Sequence, residues 1–199
     1  MMQTPMAIFC GNSFKLARIY VYGLCLLLGS LFPAQVLVAE NSAEIESLVK
    51  AAYVYKFGNY VVWPETVFAH PDSKIVIAVA ADDKIADALV QEAGARKIAM
   101  RPVLVRRVQH GDSLIGVHIL FVGKNENQQL VDWLAQTHGL PVLTITEAED
   151  GLAYGSIINF VVDDNRVRFD VSPANAQRNR LRLDAALMSV ARQVQGRVP

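Results

Sequence analysis

Apolar residues recur at Ile45, Leu48, Val49, Ala52, Tyr53, Phe57, Tyr60 and Val61, the i, i+3, i+4 spacing of one helix face. The pattern predicts a long, aromatic-rich helix that opens the folded domain and lies against the sheet that follows. Asn41 with Glu44 three residues on reads as a capping box at its start, and Pro64 ends it because the ring cannot continue the ladder. Glu46 and Lys50, one turn apart, support each other on its outer face. Beyond Pro64 the apolar runs shorten. Residues 75–79 are continuously apolar and read as a strand buried on both faces. Asp82 or Asp83 caps a helix whose positions Ile85, Ala88, Leu89 and Ala93 run to a stop at Gly94. Strands follow over 102–105, 117–122 and 142–145. A helix over about 125–137 turns Leu130, Val131 and Leu134 inward and closes at His138-Gly139.

From residue 157 the pattern changes. Residues 157–162 and 166–171 flank Asp163-Asp164-Asn165, a turn-forming link, and predict an antiparallel hairpin. In its second strand Arg166, Arg168 and Asp170 share one face, and Val167, Phe169 and Val171 the other. Ser172-Pro173 opens a short helix, Asn179 breaks it in a left-handed conformation, and a last helix covers about 183–195. Strands alternating with helices before a terminal hairpin predict an α/β fold: a three-layer sandwich with a mostly parallel, Rossmann-like central sheet, closed by a C-terminal helix.

Composition adds a leader to this picture. The 199 residues suit one ordinary domain plus an extra segment, and 52% hydrophobic content excludes a disordered chain. Lys15 and Arg18 are the only charges before Glu40, and they precede an uncharged run over 19–39. That is the layout of a signal peptide over 1–39, cleaved near Ala39, with a domain over 40–199. The run is also long enough to span a bilayer, so an uncleaved anchor is the alternative, which Pro33 and Gln35 disfavour. Both cysteines, Cys10 and Cys25, lie in the leader, and Tyr22-Gly23-Leu24 lacks the small residue that lipoprotein processing requires before its cysteine. The domain therefore has neither disulfide nor thiol chemistry. Without Lys15 and Arg18 the 19 basic residues become 17 against 19 acidic, a net charge of −2, which argues against nucleic acid as a partner.

Catalytic patterns are missing. Asp82-Asp83 after the first strand resembles the acidic pair of phosphate-accepting receiver domains, but the central strand ends in Gly123-Lys124 instead of the aspartate such a site needs. His70, His110, His118 and His138 have no zinc-type spacing, and His118 within an apolar strand reads as a hydrogen-bonded structural residue. Ser156 lacks the Gly-x-Ser-x-Gly elbow, and no phosphate-binding Gly-x-x-x-x-Gly-Lys loop occurs. No enzyme and no cofactor are expected. The basic groups at 96–107 and 178–182 read as solvated faces. The row Arg166, Arg168 and Asp170 is the candidate for docking a partner or a small anionic ligand, because arginine forks suit carboxylates. Tyr53, Tyr55 and Trp63 are candidate aromatic contacts.

Lys50-Ala51-Ala52-Tyr53-Val54-Tyr55-Lys56-Phe57 followed by Trp63-Pro64 resembles the opening signature of the YfiR family of periplasmic regulators. The similarity continues through His118-Ile119-Leu120-Phe121-Val122, Val142-Leu143-Thr144-Ile145, Ile157-Ile158-Asn159-Phe160-Val161 and Arg166-Val167-Arg168-Phe169, ending near Leu187. The resemblance implies a periplasmic, non-enzymatic inhibitor that binds the sensor domain of an inner-membrane diguanylate cyclase, so lowering cyclic di-GMP and biofilm formation. It also implies an OmpA-like outer-membrane lipoprotein that can sequester the inhibitor, and a homodimer. Relatives often carry a cysteine before the His-Ile-Leu-Phe segment, where this chain has Val117, and a glycine and a serine pair near the C-terminus, where Asn179 and Asp184-Ala185 stand. Any disulfide switching of the family is thereby ruled out for this chain. A periplasmic small-ligand-binding accessory protein of a sensory or transport system is the alternative, with a concave pocket near the carboxyl ends of the strands.

Overall fold

The computed structural model describes residues 34–196, so most of the expected signal peptide, with Cys10 and Cys25, lies outside the described residues. The first helix, α1, spans Ala34–Asn59. Its backbone is already helical before Asn41, so the expected capping box is not its start. It also ends before Pro64: Val61–Val62 form a short strand, β1, and Pro64 instead opens the 3-10 turn Glu65–Val67. The strand β2 (Ile75–Ala80) and helix α2 (Asp83–Ala93) follow as expected. Asp82 caps α2, its side chain accepting from the Ile85 amide at 2.9 Å. Next come β3 (Val103–Val108), β4 (Ile119–Val122), a 3-10 segment Lys124–Gln129 and α3 (Leu130–Thr137). Then come β5 (Leu143–Thr146), β6 (Ile158–Asp163), β7 (Arg166–Val171) and α4 (Pro173–Arg178).

Three local expectations are corrected. In α3, Trp133 takes the inward place given to Val131, which is 57% exposed. Asn179 has φ −87°; the left-handed residue is its neighbour Arg180, at φ 56°. The last helix dissolves into β8 (Arg182–Leu183), one helical turn α5 (Ala185–Ser189) capped by Asp184, and β9 (Gln193–Val194). Chain that pairs with β1 and β7 satisfies its backbone there and has no need of a helix.

The large sheet has the order β3-β2-β4-β5-β6-β7-β9, and β1 pairs with β8 in a separate antiparallel ribbon. Within the large sheet only β6–β7 is antiparallel. Its link is tighter than expected: Asp163 belongs to β6, and Asp164 and Asn165, at φ 47° and 57°, make a two-residue turn of the kind asparagine and aspartate tolerate.

Two cores lie on the two faces of this sheet. On the first, Ile77, Phe121, Ile145 and Phe160 pack against Val54 and Phe57 of α1 and Ile85 and Leu89 of α2. On the second, Ala78, Leu120 and Val122 pack against Leu130, Trp133 and Leu134 of α3. The three layers are those expected. The second core takes no residue from β6, β7 or β9, so α3 roofs one half of that face and, among the described residues, the hairpin half has no helix over it.

The inward face of α1 is only partly the one the apolar spacing selects: Phe57 and Val61 are buried and Tyr53 packs on the core, but the first turns are rotated. Ser47, Lys50, Ala51, Val54, Tyr55 and Phe57 are buried, whereas Ile45, Leu48, Val49 and Tyr60 are 38–55% exposed. Lys50 therefore does not lie on an outer face with Glu46. It turns inward to an ion pair with Glu147, just beyond β5, at 2.7 Å, while still meeting Glu46.

Candidate functional site

Alternation along β6 and β7 decides what the unroofed face presents. Asn159 pairs with Asp170, Val161 with Arg168 and Asp163 with Arg166, so these six side chains share one surface. Arg166, Arg168 and Asp170 therefore share one face, as the alternation predicts. Arg166 and Arg168 are exposed and form no ion pair or hydrogen bond among the described residues. Asp170, 7% exposed, is held by Arg192: Nε donates to Oδ1 at 2.9 Å and Nη2 donates to Oδ2 at 2.5 Å. This charge-assisted fork raises the Arg192 pKa, and it joins β7 to the segment that enters β9.

A cleft of about 530 Å3 opens over this surface. Its floor includes Asn159, Val161 and Asp170; residues 147–153 form one rim, and Arg192, Gln193 and Gln195 the other. The buried amide of Asn159 fixes the first rim. Its oxygen accepts from Thr146 Oγ1 at 2.7 Å and from the Ala148 amide at 3.1 Å, and its nitrogen donates to the Ala148 carbonyl at 2.9 Å. Gly151 then lies so close that a Cβ there would come within 2.5 Å of both Asn159 Oδ1 and Thr146 Oγ1.

Behind this rim the Lys50–Glu147 pair is shut away from water, the side chains being 5% and 7% exposed. The 2.7 Å separation makes it an ion pair, although Glu147 Oε1 accepts no hydrogen bond in good geometry. For Lys50, burial works to lower the pKa, but the carboxylates of Glu147 and Glu46 prevail and raise it. For Glu147, burial prevails over Lys50 and raises the pKa.

The three candidate aromatics lie apart from the row. Tyr53 is half-buried against the opposite sheet face, its ring 5.6 Å from Phe57 and 5.6 Å edge-on from Phe169. Tyr55 is 2% exposed and donates its hydroxyl to the Leu89 carbonyl at 2.9 Å. Burial pushes its phenol up to about 12. Trp63 donates Nε1–H to the Gly58 carbonyl at 3.3 Å and meets Phe68 and His118 edge-on. Phe68 stacks on His118 at 5.1 Å, with the Arg101 guanidinium 3.7 Å above the Phe68 ring. His118 is the structural histidine expected: Nδ1 accepts from the Val76 amide at 3.2 Å. Burial and then the charge of Arg101 lower its pKa, against a bond to the Gly116 backbone.

Arg192, Asn159, Gly151 and Glu147 are the site residues that sequence reasoning missed. Arg192 fell in an expected helix, and the other three acquire roles only through contacts distant in sequence.

Among the described residues no helix is long and apolar enough to cross a membrane. A family model described as YfiR/HmsC-like matches residues 47–192, most of the chain. No curated protein matches it.

Proposed function

The chain belongs to the YfiR/HmsC-like family, and from that membership we propose that it is an exported, non-catalytic regulatory protein that binds and inhibits the periplasmic sensor domain of an inner-membrane diguanylate cyclase. The observation that carries this reading onto particular residues is the hairpin half of the sheet face, where Arg166 and Arg168 stand exposed and, among the described residues, unpaired beside the cleft. Unpaired guanidinium groups on a flat strand surface suit the carboxylates of a protein partner. Inhibition then follows from tighter binding to one of the two states of the cyclase. Sequestration by an OmpA-like outer-membrane lipoprotein and a homodimeric state belong to the same proposal.

The test is genetic and physical together. Deleting the gene raises cyclic di-GMP, the wild-type gene restores it, and R166E/R168E fails to restore it while retaining the wild-type melting temperature. Cross-linking of the tagged protein in membranes recovers a diguanylate cyclase. An unchanged cyclic di-GMP level on deletion, with no cyclase recovered, sinks the proposal. The cleft itself favours the second reading, a small-ligand binder. Thermal stabilisation by a metabolite, abolished in R192A, supports that reading.

A further inference from the structure

Two basic stretches that lie far apart in sequence meet at the carboxyl end of α1. Asn59 there accepts from the Ala99 amide at 2.9 Å, and a Cβ on Gly58 would collide with the Ile98 side chain, so the turn over 98–101 is strapped to the helix end. The adjoining ribbon places Val62 opposite Arg182, and the Asp184 amide donates to the Tyr60 carbonyl at 2.9 Å. This end of the molecule therefore presents Tyr60, Val62 and Met100, exposed by 40%, 48% and 83%, with exposed Lys56, Lys97 and Arg182 around them. Lys56, Lys97 and Arg182 form no ion pair or hydrogen bond through their side chains among the described residues. Among the neighbouring acids, Glu92 is paired to Arg96, while Asp184 has only the Ala186 amide at the start of α5 and no ion pair among the described residues, so three cations stand against one such carboxylate. Ala99 and Met100 both have positive φ, 48° and 63°, a conformation that non-glycine residues rarely adopt. Met100 is thus held outward by backbone strapped into place from behind.

We propose that this end docks on an anionic lipid surface, seating Tyr60, Val62 and Met100 at the headgroup boundary with the three cations among the headgroup phosphates. The charge pattern selects lipid phosphate: flexible lysine stems around short apolar tips reach phosphates at varying depths, and tyrosine favours that boundary. A lipid surface supplies negative charge without requiring a shaped partner. The inference stands independently of the cyclase reading.

The experiment is co-sedimentation of the full chain with vesicles of phosphatidylcholine alone or with phosphatidylglycerol added. The same leader is present in every sample, so the comparison of variants isolates this end. Binding to the anionic vesicles is expected to exceed that to the neutral ones and to fall as salt rises. At about fivefold per cation, K97Q/R182Q should lose roughly 25-fold in partitioning. Y60S/M100S should also lose partitioning, and both variants should keep the wild-type melting temperature, since only exposed side chains change. Full binding to the anionic vesicles by K97Q/R182Q overturns the proposal. So does a photo-reactive group at position 100 that captures a protein and no lipid in cells.

Discussion

Replacing Lys50 by methionine is the sharpest perturbation this fold offers. The substitution keeps the length of the side chain and removes the cation, leaving Glu147 with a carboxylate 7% exposed and its closest counter-charge gone. Removing one partner of a buried pair costs about 3–5 kcal/mol. For a domain of this size 1 kcal/mol shifts the melting temperature by roughly 2–4 °C, so K50M should melt about 6–20 °C below wild type. The sign of the pH dependence is a second readout. Burial already raises the Glu147 pKa, and without Lys50 it rises further. The folded state then holds a proton that the unfolded chain has released, from about pH 4.5 upward. Stability of K50M accordingly increases as the pH falls through that window, and its deficit shrinks towards pH 5. The double variant K50M/E147Q carries no buried charge and should recover most of the loss. Urea denaturation at pH 5 and pH 7 measures both quantities. A K50M protein within about 1 kcal/mol of wild type at pH 7, or a double variant as damaged as the single one, would refute this account of the pair.

Other outcomes follow from the same geometry. G151A should cost about 1–3 kcal/mol in urea denaturation, since its Cβ would press into Asn159 and Thr146. The lowered pKa of His118 means that its contribution is complete above pH 6.5 and is lost as the pH falls from there to its folded value. Melting temperature should therefore drop between pH 6.5 and pH 5 more steeply in wild type than in H118F. The Tyr55 phenol should ionise near pH 12, visible as a late step in ultraviolet absorbance that Y55F removes. Because Arg192 is 40% exposed, R192K should cost only about 1 kcal/mol while breaking the fork to Asp170.

Much of the fold was legible because it is written in local patterns. The buried runs gave β2, β4 and β5, the Asp82 cap gave the start of α2, and alternation gave the shared face of Arg166, Arg168 and Asp170. Failures came where a distant partner reverses a local preference. Lysine at position 50 reads as an outward residue until Glu147, far along the chain, is seen to neutralise it. Once Lys50 turns inward, Ile45, Leu48 and Val49 must turn outward, against their hydropathy. Tyr55 looked like an interface aromatic because its type is common at interfaces, yet its hydroxyl is satisfied inside by the Leu89 carbonyl. Segment 183–195 misled for a related reason. Its apolar spacing allows a helix, but its two ends pair with β1 and β7 and leave only one helical turn between them.

The buried amide of Asn159 has a mechanical meaning for the cleft. With three hydrogen bonds it binds the rim at Ala148 to the strand beneath, and Gly151 removes the gap that would let the two slide. Rim and floor therefore move as one piece, with no hinge between them. Whatever occupies this cleft meets a floor and one rim already in their final shape, so little ordering entropy is lost on that side of the encounter. Discrimination among occupants must then show in how long each stays, while their rates of arrival remain alike.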